Sequence, residues 1–452
     1  MYLDEVVKAQ KRGESKGITS ICSAHPWVLK AAMQKERPGA LLIESTCNQV
    51  NQFGGYTGMK PADFVRYVRK IAEENNFPFE NIILGGDHLG PNVWQNEPAE
   101  SAMQKSAVMM RDYVQAGFAK IHLDCSMNLG DDPQGPLDVE VSARRAAQLA
   151  KVAENAIGAG NLLPRYVIGT EVPVPGGAQA HEDSVSVTNV EDVNQTIEIT
   201  REAFYREGLQ SAWERVIAVV VQPGVEFGDD FVLEYQPEKA KALSHFIEGQ
   251  PVIYEAHSTD YQTRAALKNL VRDHFGILKV GPGLTFAFRE AVFALAMMED
   301  ELFSKDVRSN IVQVLDDVMT AYPEYWKKYY FGSEHEQAFK RKYSLSDRAR
   351  YYWLQPEMQR ATACLMKNLG NKKLSYSLLS QFVGCENLNA AQVINWKIGR
   401  VLEDYWMACS DCAFESDLAF LILIVFHQWV SFPGRKMRVS ASGGMYIVTK
   451  TR

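Results

Sequence analysis

The sequence predicts an α/β protein, a closed (β/α)8 TIM barrel with a C-terminal helical extension, on three observations. Eight short β-rich runs recur along the first 283 residues, and each is followed by a segment of helical periodicity. The runs are nearly continuous in apolar side chains, as strands of a parallel sheet are when both faces are buried. No run leads into the glycine-rich nucleotide turn that the rival architecture, an open doubly wound sheet, normally carries.

In chain order the runs are "GITSICSAH" (17–25), "ALLIES" (40–45), "NIILGGDH" (81–88), "AKIHLDCS" (119–126), "RYVIGTE" (165–171), "VIAVVVQPG" (216–224), "PVIYEAH" (251–257) and "GILKVGPG" (276–283). Between them, "KPADFVRYVRKIAEEN" sets Pro61 early and lines Phe64, Tyr67, Val68 and Ile71 along one helix face. "ESAMQKSAVMMRDYVQAG" carries Ala102, Val108, Met109 and Val114 in an apolar stripe and closes on Gly117. "DYQTRAALKNLVRDH" and "LTFAFREAVFALAMMEDEL" follow the same logic. The barrel is expected over 1–305. Aromatic, charged helical segments such as "AYPEYWKKYYFG" then form an extension over 306–408, packed on the barrel, with "SLSDRARYYW" read as a helix start that packs aromatic rings against it. Residues 409–452 are an atypical tail containing the basic stretch "GRKMR", and no function is assigned to it.

Composition narrows the partners. At 46% hydrophobic and 23% charged, the chain is far from disordered composition. Its net charge of −7 offers no overall basic field for nucleic acid or anionic membranes, although a small anionic substrate needs only a local cationic pocket. The seven cysteines form no zinc-ribbon framework: Cys409 and Cys412 have the C-x-x-C spacing but lack a second pair. They read as reduced thiols of a cytoplasmic protein, and the polar amphipathic N-terminus lacks the apolar core of a secretory signal. The one membrane-like stretch, "LAFLILIVF" (418–426), has nine apolar residues where a spanning helix needs about 20.

Active sites of such barrels lie at the C-terminal ends of the strands. Those ends read Ser23 and His25, Glu44, Asp87 and His88, Asp124, Glu171, Gln222, Glu255 and His257, and Lys279. A barrel built only for stability would close with small or hydroxyl residues. Here nearly every strand ends in a group that carries charge, moves protons or binds metal. His88, Glu171 and His257, from strands three, five and seven, are the candidate ligands of a divalent ion, with Zn²⁺ the first choice, which would polarise a carbonyl or enolate oxygen. Asp87 is the candidate acid or base, Glu44 a second base, and Lys279 a cation able to polarise a ketone. Asp124, Gln222 and Glu255 are expected to orient ligands or substrate hydroxyls.

For phosphate, the candidates are Ser258 and Thr259 in "HSTDYQT", with the backbone N–H groups of "GPGLTF" at Gly281 and Gly283. The amide-rich loop "NQVNQFGGYTG" (48–58) offers Asn48, Gln49 and Asn51 to a sugar, and "EVPVPGG" (171–177) suits a loop that approaches substrate. Strand alternation is read as turning His122 away from the site, and His274 is likewise read as structural. No Gly-Lys dipeptide occurs, so there is no P-loop, no nucleotide is expected, and a P-loop kinase is excluded.

Taken together, "CSAHP", "NQVNQFGGYTG", "LGGDHLGPN", "KIHLDCSM", "VIGTEVPVPGG", "VVVQPGVEF", "YEAHSTDYQT", "LKVGPGLTFA" and "YWKKYY…YSLSDRARYYW" closely resemble the GatZ/KbaZ family, from about residue 10 to about 408. These are the large subunits associated with class II D-tagatose-1,6-bisphosphate aldolase. The family is similar in fold to the zinc-dependent catalytic subunits, which use three histidines and an aspartate. By that resemblance Asp87-His88 looks like the catalytic aspartate and first zinc histidine, Asp124 and Glu171 like the acidic groups of strands four and five, and His257 like the last zinc histidine. Strand six departs from the pattern, with Gln222 where the middle histidine would stand.

The resemblance implies a partner subunit that stabilises a class II aldolase catalytic subunit and is needed for its full activity, inactive alone, with a phosphorylated ketose, tagatose 6-phosphate or the 1,6-bisphosphate, as the small-molecule partner. The alternatives are a D-tagatose 6-phosphate 4-epimerase working by metal-assisted retro-aldol and aldol steps, and a sugar-phosphate sensor without catalysis. A homo-oligomer is compatible with either reading.

Overall fold

The computed structural model describes residues 1–35, 39–160, 162–169, 185–370, 373–410, 437–442 and 445–450. Eight strands, β1 (Ile18–Ile21), β2 (Leu41–Thr46), β3 (Ile82–Leu89), β4 (Lys120–Leu123), β5 (Arg165–Ile168), β6 (Val216–Val220), β7 (Ile253–Ala256) and β8 (Phe275–Val280), pair in parallel with their sequence neighbours. β8 returns to β1, with Ile18 opposite Ile277 and Val280 opposite Ile21, so the sheet closes into the barrel that the apolar runs predict.

Alternation along the strands builds two different environments. Outward residues such as Ile43, Leu84, Ile121, Tyr166, Val219, Tyr254 and Leu278 pack with the surrounding helices into the main core. Inward residues climb from an apolar floor to a charged top. The floor is made by Ile18, Leu42, Ile83, Ile253 and Ile277, plugged from below by Leu3 and Val6 of the N-terminal helix Tyr2–Lys11. Two residues higher on the same strands stand Ser20, Glu44, Gly85, Glu255 and Lys279. Burial of the outer layer at about 25 cal/mol per Å² of apolar surface supplies the stability that tolerates this charged interior.

The flanking helices start where their sequence signals lie. Pro61 opens Pro61–Glu74, Thr263 caps Arg264–Arg272 by accepting from the Ala266 N–H, and Ala99–Gln115 ends just before Gly117, whose φ of 94° suits a helix stop. Beyond the barrel, helices Ile311–Ala321, Glu334–Tyr343, Pro356–Leu369 and Tyr376–Phe382 lead to Ala390–Cys409. That last helix returns to pack on Pro282–Leu302, Arg264–Arg272 and Pro26–Gln34.

Met1–Ser410 forms one compact unit, and Asp411–Arg452 a second. Within the second, strands Met437–Ser442 and Met445–Lys450 pair antiparallel. No element was expected there, yet the Gly443-Gly444 pair before the β-branched run "YIVT" is a short-hairpin signal. The apolar stretch 418–426 lies outside the described residues, among which no helix is long and apolar enough to cross a membrane.

Candidate active site at the barrel mouth

The stretch "LGGDHLG" bends β3 into the barrel. The pairing of β3 with β4 shifts register between Gly86 and Leu89, and His88 adopts a left-handed φ of 48°. This bulge turns both Asp87 and His88 toward the axis, at a local strain cost of order 1–3 kcal/mol. The glycines make room for it. A Cβ on Gly90 would lie 1.6 Å from the Asp124 carbonyl oxygen, and one on Gly85 would lie 2.7 Å from Cγ of Glu44.

Three imidazoles meet at this point. The rings of His88, His122 and His257 lie 4.9–5.1 Å apart, centre to centre, at steep mutual angles. With Asp87 they form a buried group whose ligand atoms all fall within 4.8 Å of one another, so the site allows a metal ion. Carboxylates stand behind two of the rings: Asp124 Oδ2 is 2.8 Å from His88 Nδ1, and Glu255 Oε1 is 3.0 Å from His257 Nε2. This is the arrangement that orients metal-ligating histidines, and it leaves Nε2 of His88 and Nδ1 of His257 for an ion. His122 Nδ1 lies 3.1 Å from Asp87 Oδ1 and 3.2 Å from the His88 backbone nitrogen, while its buried Nε2 has no protein partner among the described residues.

His122 therefore corrects the expectation from sequence. A period of two places Lys120, His122 and Asp124 on one face, and the helix layer claims Ile121 and Leu123, so that face is the barrel interior.

Below the imidazoles lies a buried ion network that the sequence reading missed in part. Lys120, wholly buried, has its ammonium 2.8 Å from Glu44 and 2.7 Å from Glu255. Ser20 donates to Glu44 at 2.6 Å. Lys279 contacts Asp87 directly and lies 3.3 Å from Glu255 and 3.6 Å from Glu44. The signal for Lys120 was available: a lysine in an apolar run, in phase with His122 and Asp124.

Three carboxylates (Glu44, Asp87, Glu255) thus face two ammonium groups (Lys120, Lys279) and a fourth, Asp124, backs His88, and a divalent cation would neutralise the surplus. The proton affinities of these groups follow from it. Burial opposes ionisation of Asp87, but His88, Lys279 and the His122 bond outweigh burial and hold its carboxyl well below the usual range. His88 is raised despite its burial, because Asp87 and Asp124 adjoin it. His257 falls to about 3 through burial and the nearby Lys279. Lys279 is held well above the ordinary lysine value by Asp87, Glu255 and Glu44, against its burial.

Above this centre opens a cavity lined by Asn48, Gln49, Tyr56, Asp87, His88, His257, Ser258, Asp260, Lys279, Gly281, Arg350 and Tyr351. Of the sugar-loop residues, Asn48 and Gln49 reach it, whereas Asn51 turns inward. The Asn51 amide donates to the Cys47 carbonyl and its Oδ1 accepts the Phe53 and Gly55 N–H groups, tying the loop. Gln222 caps its own turn by accepting from Gly224 and Val225, and is not part of the lining. The third imidazole comes from strand four in place of strand six. Asp124 and Glu255 sit behind the histidines, while Glu171 and the loop 171–177 lie outside the described residues.

The expected phosphate seat is different. Thr259 donates its hydroxyl to the Lys279 carbonyl at 2.6 Å and meets the Tyr405 hydroxyl at 3.0 Å. The N–H groups of Gly281 and Gly283 are not exposed: both donate to Asp260 Oδ1, at 2.9 and 2.8 Å. Ser258, at φ 52°, does face the cavity. The segment 344–353 also departs from its reading as a helix start, because Arg348–Tyr351 is a short 3-10 turn that delivers Arg350 and Tyr351 to the cavity. Asp347 fixes that turn by accepting from Thr285 at 2.6 Å and from Arg289 at 2.8 Å.

Comparison with known proteins agrees with this architecture. A chain of Salmonella heidelberg named D-tagatose-1,6-bisphosphate aldolase subunit GatZ is 54% identical over 384 residues, 84% of this chain and 90% of that one. The protein of the same name from Klebsiella pneumoniae is 51% identical over 422 residues, covering 90% and 99%. A solved structure from Sinorhizobium meliloti 1021, titled a probable tagatose 6 phosphate kinase, superposes with a TM-score of 0.80 at 44% identity over 87% of this chain and all of that one. The family model described as D-tagatose-1,6-bisphosphate aldolase subunit GatZ/KbaZ-like matches residues 3–410, and the chain belongs to that family.

Proposed function

We propose that this protein is the large subunit of a class II D-tagatose-1,6-bisphosphate aldolase, working with a separate catalytic subunit. The observation that carries the reading is the match to the GatZ/KbaZ-like family over residues 3–410, joined by relatives more than half identical that are named as that subunit. The barrel mouth supports a ligand-binding role within the assembly, since its lining combines cations, carboxylates and amides around one cavity.

The ion best suited to Asp87, His88, His122 and His257 is zinc, given three imidazoles and a carboxylate. Bound there, it would polarise a carbonyl or enolate oxygen. Glu171 remains a candidate further ligand. The chain's own groups then divide the work: Lys279 presents a fixed positive charge, Asp87 presents a carboxylate beside it with Glu44 behind, and Asn48, Gln49 and Ser258 hold hydroxyls of a phosphorylated ketose. The unpaired thiols of Cys22, Cys47, Cys125, Cys364, Cys385 and Cys409 suit the reducing cytoplasm.

The test is to mix the protein with a class II tagatose-bisphosphate aldolase catalytic subunit. The expected result is faster cleavage of D-tagatose 1,6-bisphosphate and a higher Tm of the catalytic subunit. No change in either would overturn the subunit reading.

A further inference from the structure

We infer that Arg350, carried to the barrel mouth by the C-terminal helical segment, binds the phosphate monoester of a small sugar phosphate. The sugar part of this assignment rests on the function proposed above; the anion site does not.

The usual seat after the last strand is filled. The Gly281 and Gly283 amides, at the start of helix Pro282–Leu302, both serve Asp260. A phosphate there would face a carboxylate instead of free N–H donors. Arg350 offers what that seat lacks. Three of its five N–H groups are spent on uncharged acceptors: the Ser346 carbonyl, the Asp347 carbonyl at 3.0 Å and the Tyr351 hydroxyl at 3.0 Å. These bonds fix the plane of the guanidinium without neutralising it. The Nε–H and one Nη2–H have no protein acceptor among the described residues, and no carboxylate of those residues forms an ion pair with Arg350. The nearest acid in sequence, Asp347, is committed to Arg289 and Thr285. Two donors on a rigid, charged fork match two oxygens of a phosphate.

Position adds to chemistry. Arg350 lines both the cavity that descends to Asp87, His88 and Lys279 and the adjoining one beside Ser23, His25 and Thr285. A phosphate held there would share its cavity with His88, His257 and Lys279, within which the rest of the sugar would lie. Tyr56, from the loop after β2, closes the same edge, its ring 4.8 Å from that of Tyr351.

The experiment is calorimetric titration of the full chain, without any catalytic subunit, with D-tagatose 6-phosphate and with unphosphorylated D-tagatose. Wild type is expected to prefer the phosphorylated sugar. Arg350→Met should weaken that sugar by about 10–100-fold and leave D-tagatose unchanged. Arg350→Lys, which keeps the charge and loses the fork, should fall between. An unchanged preference in Arg350→Met overturns the assignment, and so does a wild type without preference. If Arg350→Met lowers Tm and weakens both sugars alike, Arg350→Lys decides: a wild-type preference there overturns the assignment, and a reduced one supports it. Failure of this titration leaves the subunit reading standing, and failure of subunit activation leaves the anion site standing.

Discussion

Replacing Lys120 by Met is expected to destabilise the barrel by about 3–5 kcal/mol at neutral pH. Met keeps most of the volume of the side chain, so the loss is electrostatic and not a cavity effect. Lys120 bridges Glu44 and Glu255 at 2.8 and 2.7 Å, and all three are wholly buried. At an effective dielectric near 20, each contact is worth roughly 6 kcal/mol of attraction. The net loss is smaller, because Lys279 still faces Glu255 at 3.3 Å and Glu44 at 3.6 Å. The assay is guanidinium unfolding followed by tryptophan fluorescence, at pH 7.5 and at pH 4.

The pH pair isolates the cause. Burial raises the Glu255 carboxyl, but Lys120 and Lys279 outweigh it and hold the group well below its usual value. A depressed carboxyl contributes stability that is present above its unfolded pKa and is lost as pH falls through the folded one. Lys120→Met removes much of that contribution, so its deficit should be largest at pH 7.5 and narrower at pH 4. Adding Glu255→Gln should recover more than about 1 kcal/mol, since the uncompensated charge is then gone. A deficit below about 1 kcal/mol at pH 7.5, or one of equal size at both pH values, would refute the charge argument.

Two further outcomes are expected. His122→Ala should weaken divalent-metal binding by at least the 10–100-fold typical of losing an outer partner; elemental analysis of protein purified without chelator, beside His88→Ala, reads this, and wild-type metal content would remove His122 as a ligand. Asp260 is pushed by burial from an ordinary 3.8 up to about 6, against the bonds from Gly283 and Gly281. A raised carboxyl contributes stability that is full below pH ~4 and lost as pH rises through ~6, here up to about 3 kcal/mol. Asp260→Asn, whose side-chain oxygen still accepts both amides, should flatten the Tm profile across that window, and a wild-type slope in the variant would assign the loss elsewhere.

The barrel was legible because strands buried on both faces leave a continuous apolar signature, which β2, β6 and β8 display. Asp87, His88, His257 and Lys279 were legible because strand ends carry function in this fold. His122 was misjudged although the sequence sets it in phase with Asp124. The rule of alternation was sound, and its application to "KIHLD" was not. Thr259, Gly281 and Gly283 were read as phosphate donors because their own chemistry allows it; what fills them, Tyr405 and Asp260, is a tertiary fact. Arg350 lay furthest from reach. It stands some 70 residues beyond the last strand, in a turn whose approach to the barrel depends on the Asp347–Arg289 pair and not on any local pattern.

Lys279 decides between two kinds of carbonyl chemistry. A buried lysine without acidic neighbours loses its proton readily and can attack a ketone to form a Schiff base. Lys279 is buried, yet Asp87, Glu255 and Glu44 hold its pKa well above the ordinary value, so it stays an ammonium. An ammonium has no lone pair to give, and its contribution is a fixed charge and hydrogen-bond donors aimed at an oxygen. Asp87, pinned by that same ammonium, His88 and the His122 bond, is correspondingly reluctant to take up a proton. Asp87 and Lys279 are thus spent largely on each other. A site balanced in this way is suited to holding and polarising a sugar phosphate by fixed charge.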